Sequence, residues 1–273
     1  MSRPALVGLH GAPRSGTSWL GALFDSSEQV AYRFQPFFAY AFRGRIDRNS
    51  DAPGIVRFFD YLLVTDDAFV TQRGDARLAR DGPTFAKTRP SHLVYKEVRF
   101  HDLMAPILDA VPDARCIGLV RDPRSVLASW FAAPREFKPE WSQRTEWRRA
   151  PIKNAGLDEN WFGYERWKEL AQLFLELGTR FPDRFRLVRY EHLVRSPGDV
   201  ARSLFEFCGL VPGGQTSRFI EESTTRDDGD PYGVFRQRAR LRPDANIPAE
   251  IASEIESDLS GTALEQFLEP GAG

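Results

Sequence analysis

The chain has little cysteine and little lysine. Its 273 residues include 2 Cys, Cys116 and Cys208, and each lies in an apolar run, which is typical of a buried thiol rather than a disulfide. No group of Cys and His has the spacing of a zinc site. Only 5 of the 37 basic residues are lysine, so arginine, which suits forked contacts with phosphate and sulfate, carries the positive charge. The sequence therefore predicts neither a disulfide framework nor a metal.

An excess of one charge and long apolar runs are also missing. The formal net charge is -1, whereas general binding to nucleic acid or anionic membranes needs a basic excess. No run approaches the roughly 20 apolar residues of a membrane span, and the first apolar run, residues 5–9, is too short for a signal peptide. We therefore expect no nucleic-acid partner, no membrane span and a location in the cytoplasm.

Four short apolar runs predict the strands of a sheet. They are residues 5–9, 92–98, 115–120 and 185–190, and each is followed by a helical pattern or a helix start. Strands that alternate with helices predict an α/β fold, namely a P-loop NTPase-like parallel sheet flanked by helices on both faces. Ligands bind such sheets at the carboxyl ends of the strands.

The length suits a single domain, residues 1–273, with one insertion. Residues 133–158 break the pattern with Pro, Trp and basic residues. This run is longer than an ordinary connection, which predicts a lid or an interaction loop. An amphipathic helix is expected over residues 159–180, and another helical pattern follows Asp244.

The stretch HGAPRSGTSW has the glycine spacing of a Walker A loop but lacks its lysine. Four residues separate Gly11 from Gly16, and Thr17 stands where the lysine would follow. A strand, a glycine turn and a helix start still place backbone N–H groups around an anion. The nearest cation is Arg14. The loop is therefore predicted to bind an anion, though not obviously that of ATP.

A second candidate anion site follows the strand at residues 115–120. Arg121 stands at the carboxyl end of this strand, and Ser129 follows eight residues later on the emerging helix. Asp122 precedes Pro123, the order typical of a helix N-cap, with a magnesium-binding Walker B aspartate as the alternative. Arg121 and Ser129 together suit a second phosphate.

Three stretches resemble, in order, the motifs of sulfotransferases that use 3′-phosphoadenosine 5′-phosphosulfate (PAPS). PRSGTSWL resembles the 5′-phosphosulfate loop, LVRDPRSVLASW the 3′-phosphate motif, and FRLVRYEHL the segment that follows. The resemblance spans residue 5 to about residue 210. It implies a P-loop-like fold, PAPS as donor, 3′-phosphoadenosine 5′-phosphate (PAP) as product, and no metal.

The resemblance implies a donor site built from three groups of residues. Arg14 would contact the transferring sulfuryl group. Trp19 would stack on the adenine and Tyr190 would touch it, with a core aromatic as the alternative for each. The 5′-phosphate would be wrapped by four loop residues, which are Ser15, Gly16, Thr17 and Ser18.

The same resemblance assigns the 3′-phosphate to Arg121 and Ser129. The late segment GDPYGVFRQRARLR, which is basic and contains glycine, loosely matches a family segment that closes over this phosphate. Gly233, Arg236 and Arg238 are its candidate contacts, and a solvated basic run is the alternative.

The acceptor site resembles that of the carbohydrate group in this family. Its members carry an acid after the first helix, where this chain has Gln35 in YRFQPFF. Glutamine cannot act as a base, but it can bind the acceptor by hydrogen bonds. The run KEVR resembles a K-x-V-R run of the same group, which implies that Lys96 and Arg99 bind the acceptor.

Glu97 and His101 are the candidates for the catalytic base, with an ion pair to Arg99 as the alternative for Glu97. The remaining histidines are weaker candidates for the base. His92 is predicted at the far end of its strand, His10 in a turn before the loop, and His192 on the surface of a helix.

We therefore predict a PAPS-dependent sulfotransferase that acts by metal-free in-line displacement. The acceptor would be a hydroxyl or amine of a carbohydrate, a glycolipid or another small molecule. A P-loop kinase or NTPase that uses Mg-ATP through Asp122 is one alternative, and a PAP-binding module without catalysis is another. Homo-oligomerisation is compatible with the sequence.

Overall fold

A five-stranded parallel sheet in the order β2-β3-β1-β4-β5 forms the centre of the molecule. The computed structural model describes residues 3–73, 83–227, 229–230, 232–235 and 247–270. The strands are β1 (Ala5–Gly11), β2 (Val30–Phe34), β3 (His92–Glu97), β4 (Arg115–Val120) and β5 (Phe185–Arg189).

Helices surround the sheet and connect its strands. The longer ones are α1 (Thr17–Asp25), α2 (Ala52–Val64), α5 (Pro123–Phe131), α8 (Tyr164–Arg180), α10 (Pro197–Cys208), α11 (Gly214–Thr225) and α12 (Ala249–Leu259). The shorter ones are α3 (Ala68–Thr71), α4 (Met104–Ala110), α6 (Gln143–Glu146), α7 (Pro151–Asn154) and α9 (Tyr190–Arg195), with 3₁₀ turns at His101–Leu103 and Glu265–Phe267.

The strands bury both of their faces, which explains their continuous apolar runs. In β1, Val7 and Leu9 pack into one core while Leu6 packs into the other. Alternate residues of β3 divide in the same way, with Val94 on the first side and Tyr95 on the second. The predicted parallel sheet with helices on both faces is thereby confirmed.

The strand β2 was missed by the sequence analysis. Its run VAYRF holds a charged residue, Arg33, which interrupts the apolar pattern. The Arg33 side chain is nevertheless buried, because its Nε donates to the Leu62 carbonyl at 2.6 Å and its Nη1 to the Tyr32 carbonyl at 2.8 Å. Hydrogen bonds to backbone carbonyls therefore allow an arginine to be buried in this edge strand. The charged residue hides the strand from a prediction based on hydropathy.

The predicted long helix begins five residues later than expected. Gly163 has a φ of 93°, and a Cβ there would lie 2.9 Å from the Arg148 carbonyl oxygen, so the chain turns at this glycine before α8 starts. The helical pattern after Asp244 is confirmed as α12. Both cysteines are buried free thiols.

The insertion at residues 133–158 packs into the main core. It contains α6 and α7, and its Phe137 and Trp147 are buried. The Phe137 ring lies 5.2 Å from that of Trp130, and the Trp147 ring lies 5.6 Å from that of Tyr164. The base of the insertion is therefore fixed, and its role as a lid stays a prediction. Among the described residues, every helix is too short or too polar to cross a membrane.

Candidate active site

The loop between β1 and α1 takes a conformation that depends on glycine. Arg14 has a φ of 71° and Gly16 a φ of 96°. A Cβ at Gly16 would lie 2.6 Å from the ring of Tyr190, so no larger residue fits without displacing that ring. Gly16 also precedes the first residue of α1, which directs the N-terminal end of this helix towards the loop.

Ser15 is placed differently from the other loop residues. Its hydroxyl donates to the Ala12 carbonyl at 2.6 Å, its backbone N–H donates to the same oxygen at 3.1 Å, and the residue is fully buried. Both groups therefore brace the loop from inside. Ser15 is not among the residues that line the pocket, and its place in the 5′-phosphate loop stays a prediction.

A single pocket joins the loop to the ends of β4 and β5. Its volume is about 890 Å³ including its open mouth. The lining residues that the sequence predicted are Arg14, Gly16, Thr17, Ser18, Trp19, Arg121, Ser129, Tyr190 and Gly233. Residues from five separate stretches of the chain therefore meet at one cavity.

Two of the residues that line this pocket, Trp19 and Tyr190, are the aromatic side chains predicted to contact the adenine. The indole N–H of Trp19 donates to the Ser223 hydroxyl at 2.9 Å, and its ring lies 5.8 Å from that of Phe219. These contacts fix one edge of the Trp19 ring while the residue still lines the cavity. Tyr190 is the first residue of α9 and lies against the loop glycine, Gly16.

Arg121 carries an unsatisfied donor beside the loop. One of its terminal nitrogens donates to the Arg14 carbonyl at 3.1 Å, and its guanidinium lies 4.4 Å from the centre of the Tyr190 ring. Its Nε is buried and has no hydrogen-bond partner among the described residues. Because a buried donor without a partner costs free energy, an anionic ligand at this position would satisfy it.

Ser129 links the two predicted anion sites. Its hydroxyl accepts a hydrogen bond from Arg14 Nε at 3.3 Å, so the loop cation and the α5 hydroxyl lie on the same wall. The structure thus brings Arg14, Arg121 and Ser129 together as the sequence predicted. Arg236 and Arg238, which were predicted to join them, lie outside the described residues.

Asp122 acts as the predicted helix N-cap. Its carboxylate accepts from the Arg124 backbone N–H at 2.8 Å and from the Glu269 backbone N–H at 2.8 Å. The same carboxylate forms an ion pair with the Arg124 guanidinium at 2.6 Å, and it is fully buried. The protein itself therefore uses the oxygens that a Walker B aspartate would offer to magnesium.

Glu97 lies at the carboxyl end of β3 and is fully buried. Its Oε1 accepts from the Phe37 backbone N–H at 2.8 Å, whereas its Oε2 has no hydrogen-bond partner among the described residues. Burial raises the pKa of Glu97 to about 8, against the opposing effect of the Phe37 amide and the charges of Lys96 and Arg99. The carboxyl is therefore protonated at neutral pH.

His101 is buried against His10, and their Nδ1 atoms lie 3.1 Å apart. His10 Nε2 lies 3.4 Å from the Tyr95 hydroxyl. Burial lowers the pKa of His10 to about 3 and places the pKa of His101 well below its ordinary value. The prediction of His10 in a turn is wrong, because it lies within β1 and points into the core.

The other two histidines agree with their predictions. His92 opens β3 at the far end of the sheet, where its Nε2 lies 2.9 Å from the Cys208 carbonyl oxygen. His192 is exposed on α9. Neither lines the pocket that joins the loop to β4 and β5.

Two of the three predicted acceptor residues are joined by a hydrogen bond. Arg99 donates to Gln35 Oε1 at 3.2 Å and to Asn160 Oδ1 at 3.1 Å, and its guanidinium lies 4.2 Å from the centre of the partly exposed Phe38 ring. Lys96 is buried in β3, with Nζ 4.7 Å from the centre of the Phe34 ring. Gln35 and Arg99 therefore form one polar group with Asn160.

Two residues at the loop cation were missed by the sequence analysis. Glu136 Oε2 lies 3.9 Å from an Arg14 terminal nitrogen. The Tyr232 ring centre lies 5.2 Å from the Arg14 guanidinium, and the Tyr232 hydroxyl accepts from the Arg135 backbone N–H at 2.7 Å. Tyr232 belongs to the late glycine-containing segment, and the composition of that segment and of the insertion gave the only signal for either residue.

Over the ranges that the structure describes, no cluster of three or more His, Cys, Asp or Glu side chains is arranged to hold a metal ion. The charged groups that line the pocket are instead the guanidinium groups of Arg14 and Arg121.

Known proteins match the chain in both sequence and fold. It is 33% identical to human carbohydrate sulfotransferase 3 over 290 aligned residues, which cover 81% of this chain and 59% of the relative. It is 35% identical to the mouse form over 158 residues, which cover 54% of this chain and 32% of the relative. The chain thus spans about one third to three fifths of the length of these relatives.

Structural similarity supports the same fold. Mouse sulfotransferase SULT7A1 in complex with PAP superimposes with a TM-score of 0.59 over 97% of this chain and 87% of its own, at 10% identity. A model of the sulfotransferase family matches residues 7–211, which hold the loop, the sheet and the pocket. The chain belongs to the sulfotransferase family.

Proposed function

We propose that the protein transfers a sulfuryl group from PAPS to an acceptor hydroxyl or amine. The observation that carries the proposal is the single pocket in which the Arg14 loop, Arg121 and Ser129 lie beside Trp19 and Tyr190. It offers two groups of anion-binding atoms and aromatic side chains at one cavity. That combination suits a nucleotide with phosphate groups on both its 5′ and 3′ sides.

The residues divide between the two anionic ends of the donor. Gly16, Thr17 and Ser18, at the start of α1, suit the 5′-phosphate through backbone N–H groups and hydroxyls. Arg121 and Ser129 suit the 3′-phosphate. The Arg121 Nε supports this fit, because an anion there would supply the partner that the described residues do not.

Arg14 is the cation placed to act on the transferring group. When bound, PAPS supplies the sulfuryl group, and PAP leaves with the electron pair of the broken S–O bond. Sulfuryl transfer resembles phosphoryl transfer, with charge on the equatorial oxygens, so a fixed cation and accurate positioning carry most of the catalysis. The bond between Arg14 Nε and Ser129 helps to hold the guanidinium in place.

We propose a carbohydrate acceptor, with a small-molecule alcohol as the alternative. The carbohydrate sulfotransferases matched in sequence support the first choice. The Gln35–Arg99–Asn160 group beside the Phe38 ring offers hydrogen bonds next to an aromatic face, and sugars use both. The cytoplasmic location, homo-oligomerisation and metal independence of the enzyme stay predictions.

A P-loop kinase is disfavoured by the engagement of Asp122 with Arg124 and Glu269. Thermal shifts with PAP, ATP and ATP plus magnesium, followed by a transfer assay, distinguish a sulfotransferase from a kinase or NTPase and from a binding module. We expect PAP to stabilise the protein most, and radiolabelled PAPS to sulfate an oligosaccharide in the presence of EDTA. Stabilisation by ATP and magnesium without any by PAP would contradict the proposal. Tight PAP binding without transfer to any acceptor would identify a binding module.

A further inference from the structure

A general base must lie within reach of the acceptor hydroxyl. That hydroxyl approaches the transferring group, which the proposed function assigns to Arg14, so a titratable side chain beside Arg14 is a candidate. Glu97 is fully buried and uses Oε1 to bind the Phe37 backbone, and His101 is fully buried against His10. Gln35 cannot take a proton. This leaves open which titratable side chain borders Arg14 itself.

Glu136 borders Arg14 from the base of the insertion. Its Oε2 lies 3.9 Å from an Arg14 terminal nitrogen, beyond hydrogen-bond distance, and this buried oxygen has no hydrogen-bond partner among the described residues. The Glu136 side chain as a whole is 28% exposed, so it is not enclosed as Glu97 is. A hydroxyl that approaches Arg14 would find an acceptor atom there.

The backbone of Glu136 is held in place on both sides. Its N–H donates to the Ala133 carbonyl at 2.8 Å, and its carbonyl accepts from the Trp130 indole N–H at 3.2 Å. Trp130 is itself buried in the main core. The position of the carboxylate beside Arg14 therefore follows from the fold and not from a loose surface contact.

Glu136 also lies within electrostatic reach of the proposed acceptor group. Burial lowers the pKa of Arg99, and the negative charge of Glu136 is among those that oppose that effect. Burial likewise lowers the pKa of Lys153, again opposed by Glu136. Three basic side chains therefore lie within electrostatic reach of Glu136, which are Arg14, Arg99 and Lys153.

We propose that Glu136 is the general base of the transfer, a role that rests on the proposed function. The acceptor oxygen forms a new bond to sulfur as the bond from sulfur to the 5′-phosphate oxygen breaks. The hydroxyl proton passes to the Glu136 carboxylate, and the electron pair of the broken bond leaves with PAP. No further reactant is needed. The insertion thus supplies the acid–base group that Gln35 cannot.

The test compares Glu136→Gln with Glu140→Gln, a neutralised and exposed glutamate of the same segment. The substrates are PAPS and the oligosaccharide that the wild type sulfates fastest within a panel. We expect kcat of Glu136→Gln to fall by a factor of about 100 to 10,000, with PAP affinity and thermal stability unchanged. Glu140→Gln should match the wild type.

The pH profile separates a base from a residue that only positions Arg14. The acid limb of the wild-type kcat profile should disappear in Glu136→Gln, and Glu136→Asp should restore part of the rate. Unchanged kcat in Glu136→Gln would overturn the proposal, as would weakened PAP binding with kcat retained. Absence of transfer by the wild type would contradict the proposed function itself, which is a different result.

Discussion

The donor pocket and the buried cluster at the end of β3 lie at the same edge of the sheet but differ in access. The pocket is open, and its cations Arg14 and Arg121 face a cavity. The cluster holds Glu97, His101 and His10, all fully buried. A titratable residue at the carboxyl end of a strand is therefore a functional candidate only if the packing around it leaves room for a substrate to reach it.

The charge states of the two regions follow from this difference. In the cluster, burial raises the pKa of Glu97 to about 8 and lowers that of His10 to about 3, so both groups are neutral near pH 7. In the pocket, the guanidinium groups of Arg14 and Arg121 instead face a cavity. The cluster is therefore suited to packing, and the pocket to binding charge.

The largest effect should come from Glu97→Gln. The pKa of Glu97 rises from 4.5 to about 8 on folding, so the unfolded state ionises first and wild-type stability falls as pH rises between these values. The variant should lack this fall, so its free energy of unfolding at pH 8, measured with urea, should exceed that of the wild type by several kcal/mol. Sulfate transfer should be retained. Loss of transfer with PAP binding retained would instead make Glu97 catalytic.

Gly16→Ala should disrupt the donor pocket. The added Cβ would lie 2.6 Å from the Tyr190 ring at a φ of 96°. Strain and overpacking together should cost about 2 to 5 kcal/mol of PAP binding free energy, measured by calorimetry. Gly198→Ala is the matched control, because a Cβ there meets nothing within 4 Å. Equal PAP affinity in the two variants would refute the proposed role of the loop.

Arg121→Ala should weaken PAP binding by about 10- to 100-fold, the scale of a lost hydrogen bond to a charged group. Arg115→Ala is its control, because Arg115 begins the same strand at the opposite end and lies 6.0 Å from the centre of the Phe207 ring. Fluorescence titration with PAP distinguishes them. Similar losses in both variants would show that the effect is not specific to the pocket.

The smallest effect is expected for His10→Asn. The pKa of His10 falls from 6.5 to about 3 on folding, so the unfolded state takes up the proton first as pH drops, and stability is lost below pH 6.5. Between pH 6.5 and pH 5, the free energy of unfolding of the variant should fall by about 1 to 2 kcal/mol less than that of the wild type. His192→Asn, at an exposed histidine, should behave as the wild type in acid unfolding.

The sequence predicted the parts of the donor pocket better than those of the acceptor site. Arg14, Gly16, Arg121 and Ser129 lie in short motifs whose local geometry a strand, a turn and a helix start fix almost completely. Glu136 carries no such local pattern, because a contact between residues 14 and 136 is decided by how the insertion packs on Trp130. The strand β2 was missed for a related reason, since backbone carbonyls of α2 offset the charge of Arg33.

The sequence by itself determined the parallel α/β fold, the anion loop and the second cationic site, because each depends on residues close together along the chain. Only the tertiary structure decided which titratable groups are enclosed and which face Arg14. Burial and proximity arise from contacts between distant segments, and these contacts set the pKa of Glu97 and place Glu136 beside the loop.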